Sequence, residues 1–171
     1  MNDNFIIEFI VAMPFSITQT TNEETLKACA ALMCATDPWI TLQRNFEDCL
    51  ASTQGSFKEI YIATEENKLL GCIILQMAGT FKGYIQSICV APEARGKGVG
   101  TALIKFAEER IFKISPNVFM CVSSFNTGAA KLYEQLGYEK IGELKDFILE
   151  GYSEILLRKT IGTLSAFKRK D

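Results

Sequence analysis

A chain of 171 residues with 48% apolar side chains is long enough for one well-buried core and short for two independent domains. Its formal net charge is −2, with both signs spread along the chain, so no broad basic face is available to hold a nucleic-acid backbone and no nucleic-acid partner is expected. The chain has no histidine, which excludes imidazole bases and Ser/His or Cys/His nucleophile pairs.

The first 13 residues open on an apolar run, Phe5 to Met13, interrupted by Glu8 and preceded by Asp3 where a signal peptide would carry a basic residue. The run is far short of the roughly 20 apolar residues that span a bilayer. Residues 1–13 are therefore read as an N-terminal extension that packs on the domain or on a second subunit, with a homodimer as the possible consequence and no membrane partner. The domain proper is expected over 14–160, followed by a tail over 161–171 whose basic end is solvated.

Pro14 to Gln19 alternates as a short strand, and Thr21 with Glu24 has capping-box spacing before a helical stripe of Leu26, Cys29, Ala30 and Met33. Asp37-Pro38 has the pattern of an N-cap followed by proline, predicting a second helix with Leu42, Phe46, Cys49 and Leu50 on one face. Phe57 to Thr64 and Leu69 to Gly79 are β-rich runs around a short polar turn, Glu65 to Lys68, and Gly83 to Val90 adds a third strand to the meander. Val99 to Arg110 has helical spacing, and Asn117 to Ser123 is a buried strand after the Ser115-Pro116 break. A fourth helix, Thr127 to Leu136, ends at Gly137, and strands near Tyr138 to Leu144 and Tyr152 to Lys159 close the domain. The order β-α-α-β-β-β-α-β-α-β-β predicts an α/β (α+β) fold: a mixed sheet of about seven strands flanked by four helices.

Three glycines, Gly96, Gly98 and Gly100, lie between a strand and a helix, where the chain must turn sharply. Such a turn points free backbone N–H groups at one spot. With the positive end of the helix dipole and the charges of Arg95 and Lys97, it makes a site for a diphosphate. Three glycines also serve simply to end a strand, so the neighbouring residues must name the ligand. No window supplies the GxxxxGK[ST] of a P-loop, and GxGxxG fails because the third glycine comes one place early.

The pattern Arg/Gln-x-x-Gly-x-Gly/Ala is met by Arg95, Gly98 and Gly100, directly after a hydrophobic strand and Ala91-Pro92-Glu93. In SICVAPEARGKGVGTALIKFAEERI, residues 87–111, and NTGAAKLYEQLGYEKIG, residues 126–142, the chain resembles the GNAT superfamily of N-acetyltransferases, with both blocks in the family's order and spacing. The resemblance extends in element order from Pro14 to Lys159 and implies a GNAT-like fold, acetyl-CoA as cofactor, and transfer of its acetyl group to a primary amine by direct attack on the thioester. A non-catalytic acyl-CoA sensor of the same fold is the alternative.

By that resemblance the turn from Arg95 through Gly96, Lys97, Gly98, Val99, Gly100 and Thr101 binds the pyrophosphate. Ile88, Cys89 and Val90 pair their backbone with the pantetheine arm, and Asn126 and Ala129 contact the arm from the following strand and helix. Tyr133, the tyrosine of the LY pair, is the implied acid for the departing thiolate, although spacing alone favours its completing the apolar stripe of Ala129, Leu132 and Leu136. Many family members place a glutamate on the strand carrying Ile88 to Val90; this chain offers Tyr84, Gln86 and Ser87. Asp37, Glu93 and Glu150 are possible bases without a feature that raises one above a surface carboxylate, so the base is unassigned. Cys89 and Cys121, near the expected thioester, are better read as buried strand thiols than as nucleophiles.

The acceptor, a small-molecule or peptide amine, is expected over the first two helices and the loop from Lys145 to Gly151. Trp39 would line its pocket and Arg44 hold a carboxylate, unless they anchor the core and face solvent. Six cysteines without a CxxC pair suggest a reducing, cytoplasmic setting and no metal site.

Overall fold

The computed structural model describes residues 14–169. The expectation for residues 1–13, including their packing on a second subunit, lies outside the described residues. Seven strands form one sheet: β1 (Ser16–Gln19), β2 (Lys58–Glu65), β3 (Lys68–Gln76), β4 (Tyr84–Val90), β5 (Asn117–Ser123), β6 (Glu139–Lys145) and β7 (Ser153–Thr160). Their order across the sheet is β1-β2-β3-β4-β5-β7-β6, with every neighbouring pair antiparallel except β4 and β5. Helices α1 (Glu23–Cys34) and α2 (Phe46–Ser52) pack on one face against Ile60, Cys72, Ile74 and Cys89. Helices α3 (Val99–Ile111) and α4 (Thr127–Gln135) cover the other, against Ile73, Leu75, Val118 and Met120. The architecture is the one expected from the order of elements.

Two helix starts differ from the sequence reading. The cap of α1 is Asn22, whose Oδ1 accepts from the Thr25 N–H at 3.0 Å; Thr21 stands one place too early to reach that donor. The segment after Asp37-Pro38 is a run of turns. Asp37 Oδ1 accepts from both the N–H and the hydroxyl of Thr41, and Gln43 takes a left-handed φ of 55° that interrupts any continuous helix. Helix α2 starts only at Phe46, where Asn45 and Asp48 form a reciprocal capping box.

Between β3 and β4 the register slips at Ile74/Leu75, so that Ile74 pairs with Ser87 and Leu75 with Ile85. Gln86 is left over as a bulge. Because of that extra residue, Ile85 and Ile88 both face the α3 side, although their numbers differ in parity, while Cys89 packs on the α1 side. The Gln86 side chain reaches the end of α2, donating to the Ser52 carbonyl at 3.3 Å.

Candidate active site

β4 and β5 pair only at Tyr84↔Phe119 and Ile85↔Met120, although each strand is seven residues long. Beyond Ile85 the two strands part. The Ala91 N–H donates to the Leu70 carbonyl of β3 at 2.8 Å, and alternation along an antiparallel strand then gives Cys89 its backbone bonds to β3 as well. Ile88 and Val90 turn their backbone N–H and C=O groups the other way, into the opening. Of the three residues assigned by resemblance to the arm, two therefore present backbone to the gap. Cys89 instead sits opposite Cys72 in the ladder, with its thiol 3.3 Å from Thr36 Oγ1.

The glycine turn lies at the wide end of the opening. Gly96 and Gly98 have φ of 73° and 83°, and Gly98 is the N-cap of α3 with no side-chain cap. No backbone N–H from Gly96 to Thr101 has an acceptor among the described residues, so successive donors converge with the dipole of a 13-residue helix. A Cβ built on Gly96 or Gly98 would meet nothing within 4 Å, which leaves open space above these donors. Val99 is buried and contributes only its backbone, while Arg95 lays its Nε on the Val90 carbonyl at 3.3 Å. A row of unpaired donors, an open cradle and two cations fit a diphosphate, and the parted strands fit an extended amide-bearing arm. The residues present thus suit CoA.

α4 brings the other half. Asn126 caps the helix, its Oδ1 accepting from the Ala129 N–H at 3.3 Å. That bond uses the Ala129 donor and leaves the Asn126 amide Nδ2 without a partner among the described residues. Two turns on, Tyr133 is 7% exposed. Its hydroxyl has no partner among the described residues yet is not sealed, and it opens on a cavity of about 130 Å³ that runs between the parted strands. Burial pushes the phenol up to about 12, which keeps the proton on the oxygen at neutral pH.

On the α1 side the cavity continues into a depression of about 710 Å³. Trp39, Leu42, Tyr84, Phe147 and Ile148 line both. Phe81 and Leu156 extend the apolar wall, and Phe147 is 62% exposed at its rim. Arg44 lines the depression as well, its Nε 3.9 Å from Asp48 Oδ2. The two residues chosen as acceptor contacts thus share one hollow, Trp39 as wall and Arg44 as part of an ion pair at its edge.

Neither cysteine is activated. Burial raises Cys89 to about 11 and also raises Cys121, which lines the cavity. None of Asp37, Glu93 or Glu150 lines the cavity; Asp37 is spent on Thr41 and Glu93 pairs with Lys68 at 3.0 Å. The carboxylate that does line it is Glu154 of β7, which the sequence reading passed over.

The model of the acetyltransferase (GNAT) family matches residues 25–138, two thirds of the chain. The chain belongs to this family. A relative described as an uncharacterized N-acetyltransferase, from Methanocaldococcus jannaschii, is 32% identical over 101 residues, covering 58% of this chain and 64% of the relative. An N-alpha-acetyltransferase, MAK3, of Arabidopsis thaliana is 28% identical over 102 residues, covering 57% of this chain and 54% of that one. The match thus spans less than two thirds of either relative. Among solved structures, the ribosomal-protein-S18-alanine N-acetyltransferase of Escherichia coli superposes with a TM-score of 0.69 at 20% identity, covering 90% of this chain and 98% of the other. At that identity the likeness is one of fold.

Proposed function

We propose that this GNAT chain transfers the acetyl group of acetyl-CoA to the primary amine of an acceptor that carries a large apolar group beside the amine, as the N-terminal residue of a peptide or protein does. One observation carries the reading: the opening between β4 and β5 joins a turn of unpaired N–H groups to an apolar hollow, with the Tyr133 hydroxyl at the junction. Bound acetyl-CoA supplies the thioester. The turn from Gly96 to Thr101 would hold its diphosphate, the gap-facing groups of Ile88 and Val90 its arm, and Asn126 Nδ2 a further amide contact. The N–H of Val90 is aimed to stabilise negative charge on the acetyl oxygen, and Tyr133, held protonated by burial, to protonate the leaving sulfur. The apolar hollow that opens beside the Tyr133 phenol favours turnover of an acceptor over a sensor that only binds acyl-CoA.

The lining of the hollow supports the acceptor class. A polyamine or an aminosugar needs several carboxylates around its charges, whereas this hollow is walled by Trp39, Leu42, Phe81, Phe147, Ile148 and Leu156. Its Asp48 is paired with Arg44. Relatives named N-alpha-acetyltransferases, among them one from Saccharolobus solfataricus at 27% identity, point the same way. A reducing, cytoplasmic setting is proposed on six cysteines that all stand as free thiols.

Thiol release with an amine panel tests the reading. Short peptides beginning with Leu, Phe or Met should exceed those beginning with Asp or Gly by about 10-fold or more in kcat/KM, since one buried side chain of that size contributes about 1.5–3 kcal/mol. Spermidine should be a poor acceptor. Preference for spermidine over every peptide would contradict the proposed acceptor.

A further inference from the structure

Glu154 is a charged residue within an otherwise apolar strand segment, and only 4% of it is exposed. Among the residues lining the cavity at Tyr133 it is the one charged side chain. Ser123, its register partner on β5, donates its hydroxyl to Glu154 Oε1 at 2.6 Å. Oε2 has no protein partner among the described residues, yet it is not sealed from solvent, so it opens on the cavity.

Position decides what such a group can do. Glu154, Cys121 and Leu156 lie on the α1 face of the sheet, the face of the apolar hollow. Tyr133 comes from α4 on the opposite face and meets the same cavity through the gap between β4 and β5. An amine arriving through the hollow therefore comes within reach of Glu154 on the side away from Tyr133. A merely structural carboxylate would tie β5 to β7, but those strands already pair from Asn117↔Thr160 to Ser123↔Glu154. An open, half-satisfied carboxylate adds a desolvation cost to that ladder without a structural return.

We propose that Glu154 is the proton acceptor for the incoming ammonium and that Ser123 positions its carboxylate. The inference rests on the acetyltransferase reading. Glu154 Oε2 takes one proton from the ammonium and leaves a neutral amine, whose lone pair forms the new C–N bond as the C–S bond of the thioester breaks. Tyr133 gives its proton to the departing sulfur and regains one from the nitrogen, and Glu154 returns its proton to solvent. The sum is one amide, one thiol and one proton per turnover.

Burial holds the Glu154 carboxyl above the usual carboxylate range, with the Ser123 hydrogen bond opposing that rise. Tyr84 from β4, Cys121 from β5 and Tyr133 from α4 face the same space; all three are neutral there, their ionisation pushed up by burial. β6 opposes Glu154 with Leu144, the loops bring Trp39, Phe147 and Ile148, and no Lys or Arg lines this cavity.

The test compares wild type, Glu154→Gln and Ser123→Ala in kcat/KM against pH with an apolar N-terminal peptide, alongside infrared titration of the carboxyl band in the ligand-free protein. Glu154→Gln still accepts the Ser123 hydrogen bond. It should lose about 10-fold at pH 7 and about 100-fold at pH 6, and recover towards wild type above the α-amine pKa of about 8, where the acceptor deprotonates unaided. Ser123→Ala should shift the acid limb to higher pH by removing a bond to the ionised form. In the infrared, wild type should show a carboxyl titrating above the ordinary range that Glu154→Gln lacks. Near-wild-type kcat/KM and an unchanged limb in Glu154→Gln would overturn the assignment while leaving the acetyltransferase reading intact; absence of thiol release by wild type with any amine would instead remove that reading. If Glu154→Gln does not fold, an unmoved limb in Ser123→Ala overturns the assignment by itself.

Discussion

Gly98 and Gly100 stand two residues apart in one turn and lack a side chain for different reasons. Gly98 has a φ of 83°, which an L residue reaches at a cost of about 1–2 kcal/mol. Gly100 lies in the first turn of α3 with ordinary helical backbone, and a Cβ there would rest 3.5 Å from Val90 Cγ2, an ordinary contact. Gly98→Ala should therefore lower stability by about 1 kcal/mol and weaken CoA binding by turning its N–H away, whereas Gly100→Ala should unfold at or slightly above the wild-type denaturant midpoint. Equal losses in urea unfolding would contradict this division. The glycine turn was legible in the sequence because its residues are contiguous. Glu154 was not, because its significance comes from Ser123, 31 residues away, and from a cavity walled by β4, β5, β7 and α4. The one local sign was a carboxylate inside Ser153-Glu154-Ile155-Leu156-Leu157.

The site depends on how closely β3 backs β4 where β4 leaves β5. Gly71 lies opposite Val90, and a Cβ there would stand 2.6 Å from the Cys89 carbonyl oxygen and 3.3 Å from Val90 Cα. Both are backbone atoms, so Gly71→Ala must displace β4 itself. It should cost about 1–3 kcal/mol in urea unfolding and weaken CoA binding in calorimetry, because Ile88 and Val90 move with the strand. Stability and affinity both at wild-type values would show that the close approach is relieved elsewhere. α3 is tied across the sheet by two half-buried ion pairs, Arg110 with Glu59 of β2 (Nε to Oε2 2.9 Å) and Glu108 with Lys159 of β7 (2.7 Å). Element order and type were legible along the described chain because strand alternation and helical stripes are local. The start of α2 was not: Asp37-Pro38 carries a valid helix signal, but Asp37 is drawn to Thr41 and Gln43 turns left-handed, so the competing cap at Asn45 and Asp48 prevails.

At the scale of the whole molecule, one sheet separates two chemical tasks. The α3 and α4 side carries the glycine turn and Tyr133, proposed to hold the diphosphate and to act as the acid, the α1 side carries the apolar hollow and Glu154, and the gap between β4 and β5 is where they meet. The glycine turn and the helix of Tyr133 were marked by two motifs, and Trp39 with the loop from Lys145 to Gly151 was expected at the acceptor side, whereas Phe81 and Leu156 join that hollow from separate segments that share no spacing. Tyr133 is the residue both halves require. Its hydroxyl has no partner among the described residues, so Tyr133→Phe removes a proton donor with little change in packing. Thiol release from acetyl-CoA with an apolar N-terminal peptide, measured for wild type and Tyr133→Phe together with acetyl-CoA affinity, tests the shared site most directly. The expected result is turnover by wild type, a kcat about 100-fold lower in the variant, and acetyl-CoA affinity unchanged within about 2-fold. Turnover by the variant at the wild-type rate, or no thiol release by wild type with any amine, would contradict it.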